Sequence, residues 1–111
     1  MSTITPAEPF KRILQATEGS TGEPRDVIVR IGLPEVDPVP GGDYRVLVEI
    51  EGFERSYSRH VHGVDGLQAF LSGCWLVPSI LRALAPRGAR LTWLDEEDLG
   101  FTMPVDGDSA G

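Results

Sequence analysis

The apolar residues of this chain change period once. From Val27 to Ile50 they recur at every second position, and from Leu67 to Leu84 at every third or fourth. Period two marks a strand with one buried face, and a 3.6-residue period marks a helix with one buried stripe. A chain of 111 residues with 41% hydrophobic content can form one modest core. The fold class this predicts is α+β: a meander of three to four antiparallel strands, one long helix across one face, and a further C-terminal strand.

The strands read as follows. Val27, Val29, Ile31 and Leu33 alternate with Ile28, Arg30 and Gly32, and the proline- and glycine-rich run from Pro34 to Asp43 ends them. Tyr44, Val46, Val48 and Ile50 then share a face, with Arg45, Leu47, Glu49 and Glu51 on the other. Gly52-Phe53 predicts a two-residue type II′ turn, because glycine stands at the central position that needs a positive φ. Such a turn sets Val48 opposite Tyr57, Val46 opposite Arg59, Tyr44 opposite Val61, Arg45 opposite His60 and Asp43 opposite His62. It also turns Arg55 and Arg59 to the core side at a sheet margin, where an inward charge discourages edge pairing. A weaker strand is expected over 10–17 and a last one over 89–94, with Leu91 and Trp93 on one face.

The helix is expected from Gly66 to Leu84, about 28 Å at 1.5 Å per residue. Its core stripe is Leu67, Phe70, Leu71, Cys74, Val77, Leu81 and Leu84, and its polar stripe is Gln68, Ser72, Trp75, Ser79 and Arg82, flanked by Leu76 and Ile80. Asp65 has the place of an N-cap accepting from the amide three residues on. Gln68 reaches back to the cap amide, and Val64 staples onto Ala69. Pro78 removes the amide that would bond the Cys74 carbonyl and predicts a kink near Trp75. Gln68, Ser72, Gly73, Pro78, Ser79 and Arg82 interrupt this stretch too often for a membrane span, so a core helix is expected.

Four segments carry a resemblance: Val29-Arg30-Ile31-Gly32-Leu33-Pro34, Gly42-Asp43-Tyr44-Arg45, Ile50-Glu51-Gly52 and Gly63-Val64-Asp65-Gly66-Leu67-Gln68-Ala69. Together, from about Val27 to Leu84, they resemble a family of small, uncharacterised bacterial domains. That family pairs a Gly-x-Pro strand end and an Asp-Trp-Arg-Cys strand start with a Gly-Val-Asp-Ser-Leu-Gln-Ala-Leu helix start. Tyr44, Val46 and Gly66 depart from it, standing where the pattern has Trp, Cys and Ser. The resemblance implies an α+β fold and a bacterial source, and no activity.

The residue chemistry argues against several functions. The formal net charge is −7, and Asp95, Glu96, Glu97, Asp98, Asp106 and Asp108 supply six of those charges with no base among them. The expected organisation is therefore a single domain over 1–94 and an acidic, flexible tail over 95–111, with neither nucleic acid nor membrane as partner. One cysteine, Cys74, permits no intramolecular disulfide, and Met1 to Pro9 lacks the apolar run of a secretory signal, so the expected location is cytoplasmic. Ser72-Gly73-Cys74-Trp75 lacks the residue order and the following histidine of a papain-type nucleophile, and no glycine pattern cradles phosphate, so no cofactor is expected. His60 and His62 share a strand face but are two ligands at most, weak candidates for a metal. No catalytic set assembles. The expected function is a small protein-interaction module, self-associating through the helix face of Trp75, Leu76, Ser79 and Arg82. Folding of Phe101 and Met103 back over Trp75 is the opposing expectation. An immunity-type inhibitor of a bacterial toxin is the alternative, and an enzyme built on His60, His62 and Asp65 is a remoter one.

Overall fold

A computed structural model describes residues 10–19, 22–39 and 43–101. Its elements are β1 (Phe10–Glu18), β2 (Arg25–Ile31), β3 (Glu35–Val36), β4 (Tyr44–Glu51), β5 (Tyr57–Gly63), α1 (Gly66–Leu84) and β6 (Ala89–Thr92). Every pairing is antiparallel. Across the sheet the order is β5, β4, β2, β1, β6, with β3 also on β4. The architecture is α+β: a meander of β1, β2, β4 and β5, then α1, then β6 closing the far edge beside β1.

Because β5 pairs with β4 from Tyr44 to Ile50, β2 and β3 share the other edge of β4. They are one strand broken by a bulge. Ile31 faces Val48 and Glu35 faces Arg45, so Gly32, Leu33 and Pro34 oppose only Val46 and Leu47. Gly32 still donates to the Leu47 carbonyl at 2.8 Å, whereas Pro34 has no amide to give, which places the break there.

The helix side of the sheet contributes Leu14, Ala16, Val27, Val29, Ile31, Val46, Val48 and Ile50 to the core. α1 contributes Ala69, Val77, Ile80 and Leu81, with Gly73 buried between them. The buried line is rotated from the expected stripe. Leu67 is 68% exposed, Phe70, Leu71, Cys74 and Leu84 are partly buried, and Ile80 lies inside. Close approach explains the rotation, because a Cβ added to Gly73 would lie 2.9 Å from Val46 Cγ2 and 3.3 Å from Val48 Cγ2. Small residues face the sheet and large ones occupy the flanks. α1 is long and apolar enough by composition to cross a membrane, but here its Ala69, Gly73 and Val77 line lies on the sheet. It runs through Pro78 without interruption.

The β4–β5 connection differs from the expected two-residue turn. Residues 52–56 form it, and the register moves by two: Ile50 faces Tyr57, Val48 faces Arg59, Val46 faces Val61, Leu47 faces His60 and Arg45 faces His62. Phe53 is the cause. It folds under the end of the sheet with 9% exposure, and Gly52, at φ +125°, lies against the Asp26 carbonyl and Val27. A shift of two keeps every side chain on its face. Arg59 is therefore still on the helix side, exposed, while Arg55 leaves the strand and donates to the Ala83 carbonyl at 3.4 Å.

β6 stops at Thr92 because the chain turns back at once. Trp93 and Glu96 exchange backbone hydrogen bonds of 2.8 and 3.0 Å around Leu94 and Asp95, both at positive φ. That is the geometry of a type I′ turn. Residues 95–101, expected as the start of the tail, return along β1, and residues 102–111, including Met103, lie outside the described residues.

Candidate functional site

Among the described residues nothing covers the outward face of α1. Trp75, at the midpoint of Gly66–Leu84, is 52% exposed and Leu76 is 39% exposed, with Ser79 and Arg82 exposed further along. Leu67, Leu71 and Trp75 follow at intervals of four, so they form one line along the helix. Phe101 does not cover Trp75. It lies instead by Arg12 on β1, its ring centroid 4.9 Å from the guanidinium carbon.

The N-terminus of α1 is capped by side chains. Asp65 Oδ1 accepts from the Gln68 amide at 2.8 Å, and Gln68 Oε1 accepts from the Val64 amide at 2.6 Å rather than from that of Asp65. Val64 is 74% exposed and does not staple onto Ala69. Gly63 explains this. A Cβ there would run into the Ala69 backbone, so the strand end sits directly against the first turn.

His60 and His62 share the outer face of β5, but they do not converge with Asp65, whose carboxylate serves the cap. His62 Nε2 donates to Asp37 Oδ2 at 2.8 Å, so the acid opposite it is Asp37 and not Asp43. The Val39 amide donates to the other Asp37 oxygen at 3.0 Å. That bond, with the His62 contact, holds the Asp37 carboxyl below the ordinary carboxylate range, against the opposing effect of its burial. Among the described residues no group of three or more His, Cys, Asp or Glu side chains could hold a metal ion.

One assembly was not singled out from the sequence. Arg12 lies on the helix side of β1, the face of Leu14 and Ala16. Its guanidinium carbon stands 3.7 Å from the Trp93 ring centroid, and Nη1 donates to the Leu99 and Gly100 carbonyls at 3.0 and 3.1 Å. Beside this clamp a groove of about 290 Å³ opens between β1, the flank of α1 and the returning chain, with Phe10, Phe70, Cys74 and Phe101 in its walls. Burial pushes the Cys74 thiol upward, partly offset by the Arg12 charge. The legible signal was a charged residue on an otherwise apolar strand face.

The fold and these features define a small α+β domain whose sheet carries one helix on one face. Residues 10–103 match the family described as a domain of unknown function (DUF6968), and the chain belongs to that family. Neither curated proteins nor solved structures provide a match.

Proposed function

We propose that this domain is a protein-interaction module that pairs with a second copy of itself through the outward face of α1. The exposed Trp75 carries the proposal. Aromatic anchors at the centre of a patch supply much of an interface's energy, and polar surroundings exclude water from it. Trp75 is exposed at the midpoint of α1, which supports this reading.

Its position also suits two-fold symmetry. In an antiparallel helix pair whose axis passes through residue 75, each Trp75 meets its counterpart and residue 82 meets residue 68. Arg82 then approaches Gln68 and the neighbouring Asp65 of the other copy, an attractive contact at both ends of the pair. Light scattering on the eluting full chain tests this. Trp75→Glu is expected to convert a dimer to a monomer with the far-ultraviolet dichroism unchanged, and identical masses for wild type and variant would overturn the proposal.

A second reading rests on the exposed Asp95, Glu96, Glu97 and Asp98, grouped on and after the Trp93–Glu96 turn. It is an immunity-type inhibitor that presents these carboxylates to a basic toxin surface. In that case replacing the four by Asn and Gln abolishes inhibition, whereas Trp75→Glu leaves it intact.

A further inference from the structure

The ion pairs among the described residues join Glu18 with Arg25, Glu51 with Arg30, Glu35 with Arg45 and Asp37 with His62. Arg12 belongs to none of them. Trp93 and Phe101 flank its guanidinium, and two backbone carbonyls fix Nη1. A guanidinium has five N–H groups. The three on Nε and Nη2 have no acceptor among the described residues.

Arg12 lines the groove, and its other described walls are Lys11 on β1 and mainly apolar residues, with Phe10, Phe70 and Phe101 as rings beside Val29, Ile31 and Cys74. The rings and the sheet favour hydrocarbon. The fixed Nε–Nη2 fork fits the two oxygens of a carboxylate, and its orientation is already set before a ligand arrives.

We infer that this groove is a binding site for a small apolar monocarboxylate, an acyl or aryl acid, with its carboxylate on Arg12 and its hydrocarbon part between Phe101 and the Phe10–Phe70 pair, whose rings meet edge to face at 5.1 Å. The size agrees. Ligand pockets start at about 300 Å³, and an enclosed apolar cavity of roughly 150 Å³ already takes benzene. Lys11 also lines the groove, but it alternates with Arg12 along β1 and so faces the other side of the sheet, which leaves one guanidinium on this side and suits a monoanion better than a phosphate. The site is separate from the Trp75 face and does not rest on self-association.

Octanoate and octan-1-ol, titrated calorimetrically into the full chain, test the inference. Octanoate is expected to bind once per chain, with octan-1-ol and the Arg12→Gln variant each about tenfold weaker or more, as loss of a charge-assisted hydrogen-bonded pair implies. Cys74 is the only thiol, so its reaction with a disulfide reagent reports the groove directly. Octanoate is expected to slow it in step with the calorimetric saturation. Since Arg12→Gln also loosens the returning chain, Cys74→Met provides the second variant: it fills the groove from α1 and is expected to abolish octanoate binding. No heat at about millimolar octanoate, equal affinity for octan-1-ol, or undiminished binding by Cys74→Met would each overturn the inference. So would nuclear Overhauser contacts between the Met103 methyl and the Phe70 ring in the ligand-free chain, which would make the chain its own occupant.

Discussion

Gly73 costs a helix interior about 1 kcal/mol relative to alanine, and it stands in the middle of the only helix among the described residues. The cost is offset by distance, because Val46 and Val48 leave no room for a Cβ. Both are stiff, fully buried and β-branched, so they cannot turn away. Gly73→Ala is therefore expected to destabilise the domain by about 1–2 kcal/mol net, the overpacking cost exceeding the propensity gain, measured as a lower urea midpoint. At Asp37 the folded state favours the carboxylate, since the Val39 amide and His62 both donate to it. A lowered folded pKa gives stability that is present above the unfolded value and lost as pH falls through the folded one. The urea midpoint of wild type should accordingly exceed that of Asp37→Asn near about pH 6, with the gap closing below about pH 4. A gap that widened in acid would contradict the assignment. Neither role could be read from the residue itself. Gly73 sits on the apolar side only once α1 is rotated to admit it, and Asp37 meets His62 only after the chain has passed through β3 and β4.

At the scale of elements, periodicity disclosed which face each strand buries and left register open. The β4–β5 hairpin makes the reason concrete. Alternation is unchanged by a slip of two, so Val46, Val48 and Ile50 face the core in either register, and only the burial of Phe53 decides between them. The helix bounds were legible in the same way, from the 3.6-residue period starting after a capping residue. Its exact facing was not, since a stripe of large residues and a line of small ones differ by less than a quarter turn. The cap itself is local and predicts a local effect. Asp65→Ala leaves the Gln68 amide without its acceptor and is expected to cost about 1 kcal/mol by urea denaturation. Asp65→Asn, which keeps the accepting oxygen, should recover most of it.

Over the whole molecule, α1 packs on β5, β4 and β2 and leaves the helix side of β1 and β6 to other cover. The chain supplies it by turning at Leu94 and returning over Arg12. The match to the family, which runs to residue 103, includes that return. Phe101→Ala removes one side of the Arg12 clamp and is expected to cost about 1 kcal/mol in urea while widening the groove beside Cys74. Leu99 and Phe101, which follow the acidic run, thus lie against the body, while Asp95, Glu96, Glu97 and Asp98 are exposed. Composition could not show this, because the return depends on an arginine 87 residues earlier in the chain. Among the described residues the packing leaves the Trp75 face uncovered, and a second copy is proposed to cover it. Sedimentation equilibrium on the full chain over a range of concentrations measures this self-association. It predicts a mass rising to twice 12.1 kDa for wild type and staying at 12.1 kDa for Trp75→Ala; a wild-type mass that stays at the single-chain value throughout would contradict it.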